Sequence, residues 1–145
     1  MQILFAWDAV GNDDPKAAEQ IVSDFTGEPE VRARAKQMAI SAWAMRETSD
    51  AWLQRLAPQW PPRRQPAVDR ALLRMAVWEM TATDTPPKVV LDEAIEMARE
   101  FSTEQSAAFV NGLLDAVLKE KRALTGETPP EENQPIPEQP AEEQS

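Results

Sequence analysis

Residues 68–115 carry three consecutive helical patterns, and this stretch constrains the fold more than any other feature of the chain. In each pattern, apolar side chains recur at intervals of three and four residues, the spacing that lines one face of an α-helix. Pro86 and Pro87 separate the first pattern from the second, because proline ends a helix but suits the first turn of the next. Ser102 and Gln105 predict a capping box at the start of the third.

Helical signals also cover the first half of the chain, so we predict an all-α fold of about seven helices. Upstream of the three-helix stretch, helices are predicted at residues 1–10, 15–25 and 30–48, followed by a short helix capped by Asp50. The expected organisation is two small packed helical subdomains at 1–58 and 67–124, a proline-rich joint at 59–66, and a disordered, acidic, proline-rich tail at 125–145.

The residue types that most enzymes and metal sites use are missing from the sequence. The chain has no Cys, His or Tyr, which removes thiolate and imidazole ligands, cysteine nucleophiles and the usual general base. We therefore expect neither catalysis nor a metal or other cofactor. No stretch approaches the roughly 18 apolar residues of a membrane-spanning helix, and the chain opens without a basic signal-peptide region. A cytoplasmic protein without membrane contact is expected.

The net charge of −10 is concentrated at the end of the chain. Residues 125–145 contain six Glu and neither Lys nor Arg, so residues 1–124 carry a net charge of −4. A body of this modest charge can still present basic faces that attract phosphate. The acidic total therefore leaves a nucleic-acid partner possible.

A small basic and aromatic edge is predicted on the third helix. Arg32, Lys36 and Trp43 fall within about 40° of one another at the helical period. Such an edge suits contact with a phosphate backbone. A solvated flank with a half-buried Trp explains the same pattern, and the sequence leaves both interpretations open.

The last long helix carries a second candidate surface beside its core stripe. Phe109 is predicted to project to the flank near Gln105 and Gly112, with Lys119 about a turn beyond. A part-exposed ring beside a bare backbone patch and an amide side chain suits stacking on an unpaired base. The alternative is that Phe109 lies at the edge of the core. The stripe itself consists of Ala107, Val110, Leu113, Leu114 and Val117.

The helix that begins after Pro66 is apolar nearly all round, so we expect it to be the central, most enclosed helix. Arg70, Arg74 and Thr81 form its one polar side. Glu79 lies opposite them, where burial of an unpaired carboxylate would cost several kcal/mol. We interpret Glu79 as a structural group bonded to a neighbouring helix end or to the Asn111 amide.

Three runs within residues 68–115 together resemble the NusB transcription antitermination factors. They are Val-Asp-Arg-Ala-Leu-Leu-Arg-Met-Ala-Val-Trp-Glu from residue 68, Pro-x-x-Val-x-Leu-Asp-Glu-Ala-Ile-Glu-Met-Ala-Arg-Glu-Phe from residue 86, and Phe-Val-Asn-Gly-Leu-Leu-Asp from residue 109. Their order and spacing fit over 48 residues. A weaker likeness extends from Gln2 to about Leu124.

The resemblance implies an all-α fold of two packed subdomains without a catalytic centre. It implies binding of single-stranded boxA RNA from ribosomal RNA operon leaders, with the small-subunit ribosomal protein NusE, in support of the transcription elongation complex. The family's RNA contacts come from an arginine-rich N-terminal arm and from a helix region that maps here onto Gln105, Phe109 and Asn111. Because the sequence starts inside the first predicted helix, we expect the arm to be missing, and with it weaker RNA affinity and a flatter salt dependence.

We therefore predict an RNA-binding surface and weigh it against two alternatives. One alternative is a protein-interaction adaptor that kept the scaffold but lost RNA recognition, as the missing arm and acidic tail suggest. Another is a helical RNA-docking module like that attached to some rRNA cytosine methyltransferases, although the chain shows no methyltransferase sequence. The candidate RNA-binding residues are Gln105, Phe109, Asn111, Lys119, Arg32 and Lys36.

Overall fold

The computed structural model describes residues 1–24 and 27–126, and every regular element in these ranges is helical. The predicted all-α fold of about seven helices is confirmed. Phe25, the predicted end of the second helix, and most of the predicted tail lie outside the described residues. The helices are α1 (Gln2–Val10), α2 (Pro15–Ser23), α3 (Pro29–Ala44), α4 (Arg46–Leu56), α5 (Ala67–Ala82), α6 (Pro87–Phe101) and α7 (Glu104–Thr125), with a 3-10 turn at Pro62–Arg64.

Local signals in the sequence set most of the helix ends. Gly11 follows α1 in the left-handed conformation with a φ of 87°, and its N–H donates to the Trp7 carbonyl at 2.8 Å. Asp14 caps α2 by accepting the Lys16 backbone N–H at 3.0 Å. Prolines occupy the first positions of α2, α3 and α6. In the described ranges, no helix has the length and apolar character needed to cross a membrane.

The predicted boundary between the third and fourth helices is wrong. The third helix ends at Ala44 rather than near Thr48, and α4 begins at Arg46. Asp50 therefore lies inside α4 instead of capping it. The break falls at Met45, whose φ of −91° and ψ of 0° lie close to helical values. Because neither glycine nor proline marks the junction between α3 and α4, the helical pattern of the sequence continues across it without a visible break.

The cap of α7 lies one residue later than predicted. Thr103, not Ser102, accepts the backbone N–H of Ser106, at 2.9 Å. The Ser102 hydroxyl instead donates to the Ser106 hydroxyl, also at 2.9 Å. Two adjacent residues with capping hydroxyls make the local signal ambiguous. The helix also continues to Thr125, beyond the predicted end near Arg122.

Two clusters of buried apolar side chains form the interior. The N-terminal cluster consists of Ile3, Leu4, Trp7, Ala18, Val22, Ala39, Ala42, Trp43 and Ala71. The C-terminal cluster combines Leu53 and Ala57 with buried residues of α5, α6 and α7. Helix α4 thus packs into the C-terminal cluster, although it precedes the proline-rich joint. The division into subdomains at 59–66 stays a prediction.

Helix α5 is the central element of the fold, as its pattern predicts. It packs against α1, α3, α4, α6 and α7. Its side chains enter both interiors, since Ala71 belongs to the N-terminal cluster and Leu72 and Leu73 belong to the C-terminal cluster. The helix therefore joins the two halves through continuous packing.

The polar side of α5 forms a partly buried ionic junction with α1 and α4. Arg74, 7% exposed, donates to Asp50 at 2.7 and 3.0 Å and to Asp8 at 3.2 Å. Arg70 donates through Nε to Asp8 at 2.9 Å and through Nη1 to the Pro62 carbonyl at 2.7 Å. Burial raises the pKa of Asp8, but Arg70 and Arg74 outweigh it and hold that pKa below its usual value. Paired charges of this kind are tolerated because each has partners.

Candidate nucleic-acid interface

The outer side of α7 exposes two of the predicted contact residues, Gln105 and Asn111. By helical geometry they face directions about 120° apart, with the half-buried backbone of Gly112 next to the Gln105 direction. Lys119 is half-buried and pairs with Asp115, four residues earlier, at 3.0 Å. The surface therefore offers two amides and one cation that is partly neutralised.

The prediction that Phe109 projects outward is wrong. Its side chain is fully buried and belongs to the C-terminal cluster. A ring without accessible surface has no face to offer a base, so Phe109 does not stack on a ligand in this structure. The alternative, a core residue, is the correct interpretation.

The burial of Phe109 follows from the number of helices that surround α7. This helix packs against α4, α5 and α6, so its buried arc is wider than a single stripe. At about 100° per residue, the buried side chains of α7 cover about 180° around the helix axis, from the direction of Phe109 to that of Leu118. Phe109 lies at one edge of that arc. The predicted stripe of Ala107, Val110, Leu113, Leu114 and Val117 is confirmed at its centre.

The basic residues predicted on α3 are present at the surface but already have protein partners. Lys36 pairs with Glu19 of α2, and Arg32 donates through Nε to the Gly27 carbonyl at 3.1 Å. Exposed ion pairs of this type contribute about 0–1 kcal/mol. An incoming phosphate can therefore replace Glu19 at low cost.

Trp43 does not extend this basic edge, because its ring is buried. It packs edge-on against Trp7 with ring centroids 5.7 Å apart. The Arg46 guanidinium lies 4.1 Å from the ring centroid. The predicted basic and aromatic edge is thus reduced to its two cations.

The two sets of predicted residues lie on separate helices. Helix α3 packs mainly against α1, α2 and α5, whereas α7 packs against α4, α5 and α6. The cations Arg32 and Lys36 therefore lie on a helix that does not pack extensively against α7. A ligand that reaches both must be an extended chain.

A buried carboxylate behind the start of α7 was not singled out from the sequence. Asp69 is fully buried near the hydroxyls of Ser102 and Ser106, although neither carboxylate oxygen reaches full hydrogen-bond geometry. Burial raises the pKa of Asp69, and the two hydroxyls offset part of that rise. The sequence shows that Asp69 lies in the first turn of α5, but it does not show contact with the next-but-one helix.

Glu79 is half-buried, and Asn111 is not its partner because the Asn111 side chain is exposed. Burial raises the pKa of Glu79, the charge of Glu93 raises it further, and the Thr85 hydroxyl and Arg34 counteract these effects. Thr85 follows the end of α5, the helix that carries Glu79 itself, so the predicted bond to a neighbouring helix end stays a prediction. Within residues 1–24 and 27–126, no acidic group of three or more is arranged to hold a metal ion.

A family model described as the NusB family matches residues 1–119. A transcription antitermination protein NusB from Heliobacterium modesticaldum is 42% identical over 129 residues, covering 88% of this chain and 62% of that protein. The NusB protein of Symbiobacterium thermophilum is 37% identical over 135 residues, covering 87% of this chain and 88% of its own length.

Solved structures share the same helical architecture. A structure of T. maritima NusB superposes with a TM-score of 0.71 at 30% identity, covering 81% of this chain and 84% of that one. A structure of the antitermination factors NusB and NusE with double-stranded RNA has a TM-score of 0.73 at 22% identity, covering 82% and 89%. At that identity the second likeness supports the fold alone.

Proposed function

This chain belongs to the NusB family of transcription antitermination factors, and from that premise we propose that it binds single-stranded boxA-type leader RNA together with the ribosomal protein NusE. The family consists of antitermination factors, not enzymes. In the proposed complex the chain acts in the cytoplasm on the transcription elongation complex at ribosomal RNA operons. A solved structure with the same fold holds NusB together with NusE and double-stranded RNA, and we propose partners of these two kinds for this chain.

The observation that carries the proposal is the pair of exposed amides on α7. Gln105 and Asn111 have free side chains on the helix whose Phe-Val-Asn-Gly run resembles the RNA-contacting region of the family. An amide can both donate to and accept from the edge of an unpaired base. The half-buried backbone at Gly112 lies beside Gln105 and carries no side chain to hinder approach.

The proposed phosphate contacts come from cations on both sides of α5. Lys119 supplies one from α7, and Arg32 and Lys36 supply others from α3. Each must exchange a surface partner for phosphate, which is inexpensive for exposed pairs. Phe109 contributes by packing α7 into the core, not by stacking, so base recognition depends on hydrogen bonds.

A titration of labelled RNA tests the proposal. The chain in complex with NusE is expected to bind boxA RNA at least about tenfold more tightly than a scrambled RNA of equal length at moderate salt. Fluorescence anisotropy with and without NusE measures both affinities. Equal affinity for the two RNAs would contradict the proposal and favour an adaptor without RNA recognition.

A further inference from the structure

An apolar groove of about 280 Å³ opens between the start of α1 and helices α3, α5 and α6. Four of the six methionines in the chain line it, and all four are half-buried. Phe101, at the end of α6, borders the groove with 44% of its surface exposed. These methionines are Met1, Met38, Met75 and Met97.

The composition of the groove is typical of a surface that receives another chain. Contiguous exposed apolar area on a folded protein marks an interaction site more often than does a single exposed side chain. Methionine is flexible and polarisable, so a methionine-lined groove can adapt to side chains of differing shape. Met45, which is half-buried, and Met80, which is buried, do not line the groove, so they provide an internal reference.

Two carboxylates give the groove a preference for positive charge. Glu79 and Glu93 both line it, and the charge of Glu93 adds to burial in raising the pKa of Glu79. The facing charges from the other elements are Arg34 on α3, which offsets part of this repulsion, and the Met1 amine. Burial lowers the pKa of that amine, which favours its uncharged form. A bound cation would relieve the repulsion between the carboxylates, whereas phosphate would increase it.

We propose that this groove docks a basic amphipathic helix of a protein partner, with apolar side chains seated among the methionines and a Lys or Arg between Glu79 and Glu93. Helix-in-groove recognition uses anchors three and four residues apart, and the apolar walls suit such anchors. The two carboxylates make the surface unsuited to nucleic acid. The site is therefore additional to the proposed RNA surface on α7 and does not depend on it.

A labelled model peptide tests the proposal on the whole chain. The probe is a fluorescein-labelled helical peptide with leucines at positions i, i+4 and i+7 and lysines beside them, measured by anisotropy at about 150 mM salt. A matched peptide carries glutamates in place of the lysines. The glutamate peptide is expected to bind at least about tenfold more weakly. Equal binding of the two would overturn the proposal, because it would show apolar adhesion alone.

Paired charge reversals on α6 locate the cation site. Glu93→Lys is expected to weaken binding of the lysine peptide at least about tenfold, since it places like charges together. Glu96→Lys makes the same change on an exposed residue of the same helix that does not line the groove. It is expected to alter affinity by less than about twofold. Equal losses of peptide affinity in the two variants would show that only the overall charge of the protein matters. That result would overturn the assignment of a cation site between Glu79 and Glu93.

Methionine methyl resonances provide a readout that does not depend on substitution. On titration with the lysine peptide, the methyl signals of the four groove methionines are expected to shift, while those of Met45 and Met80 stay in place. Shifts confined to Met45 and Met80 would overturn the proposal. So would sedimentation showing that a second copy of the chain fills the groove and excludes the peptide. Neither result would affect RNA binding by α7, so this test and the boxA titration fail independently.

Discussion

Phe109 contributes to stability, because its ring is fully buried in the C-terminal cluster. We expect Phe109→Ala to lower the free energy of unfolding by about 3–5 kcal/mol, since it removes buried apolar surface and leaves a cavity. Urea denaturation followed by circular dichroism measures the loss. Any decrease in RNA binding should then follow the unfolded fraction.

Phe101 provides the matched control for this prediction. It is the same residue type in the same half of the molecule, but 44% of it is exposed. Phe101→Ala is expected to cost less than about 1.5 kcal/mol. If the Phe109 variant kept full stability and lost only RNA affinity, the ring would act at the surface. The assignment of Phe109 as a core residue would then be wrong.

Asp8 and Asp69 should respond to pH with opposite signs. The pKa of Asp8 is lowered in the folded protein by Arg70 and Arg74 against the effect of burial. Its contribution to stability is thus present above the unfolded pKa and lost as the pH falls through the folded pKa. Asp8→Asn is expected to lower Tm at neutral pH, with an effect that shrinks below about pH 4.

Asp69 shows the reverse, because burial raises its pKa against the effect of the nearby hydroxyls. Stability associated with this group is fully present below its unfolded pKa and is lost as the pH rises through the folded pKa. Asp69→Asn is therefore expected to raise Tm at neutral pH and to give no gain below about pH 4. Scanning calorimetry across this range measures both variants. Parallel responses would contradict the assigned environments.

At the scale of helices, the proposed RNA surface depends on the two amides of α7. Replacing both Gln105 and Asn111 by Ala is expected to weaken boxA binding by about 2 kcal/mol, roughly 30-fold, through the loss of two hydrogen bonds. Both side chains are exposed, so the fold should persist. Anisotropy measures the affinity, and circular dichroism checks the helix content.

Gln20→Ala provides the control for the α7 variant. Gln20 is an exposed amide on α2 and belongs to neither set of predicted contacts. Its replacement should leave the affinity for boxA unchanged. A comparable loss in this variant would show that the α7 effect is general and would remove the support for a local contact.

Helix ends were predictable wherever a residue with a strong conformational preference marks them. Asp14, Gly11 and the prolines that open α2 and α6 each act within one turn, so the sequence alone locates these helix ends. The α3–α4 junction carries no such residue. Its backbone at Met45 stays near helical values, and the direction of the next helix is set by packing.

The candidate site was predictable only in its exposed part. Gln105 and Asn111 are exposed as their helical positions suggest. The burial of Phe109 depends on how many helices surround α7, which periodicity does not determine. The pairing of Arg74 with Asp8 spans 66 positions, and that of Lys36 with Glu19 spans 17. Neighbours at such distances are fixed by the tertiary fold.

At the scale of the whole molecule, α4 crosses the predicted boundary, as α5 does through Ala71. It precedes residues 59–66, yet Leu53 and Ala57 complete the interior formed by α5, α6 and α7. A cut in the backbone within that proline-rich stretch would place α4 on the N-terminal fragment. The C-terminal fragment would then have a cavity where Leu53 and Ala57 pack in the intact protein. Each fragment would lack part of an interior, and we expect the two to fold fully only when they are mixed.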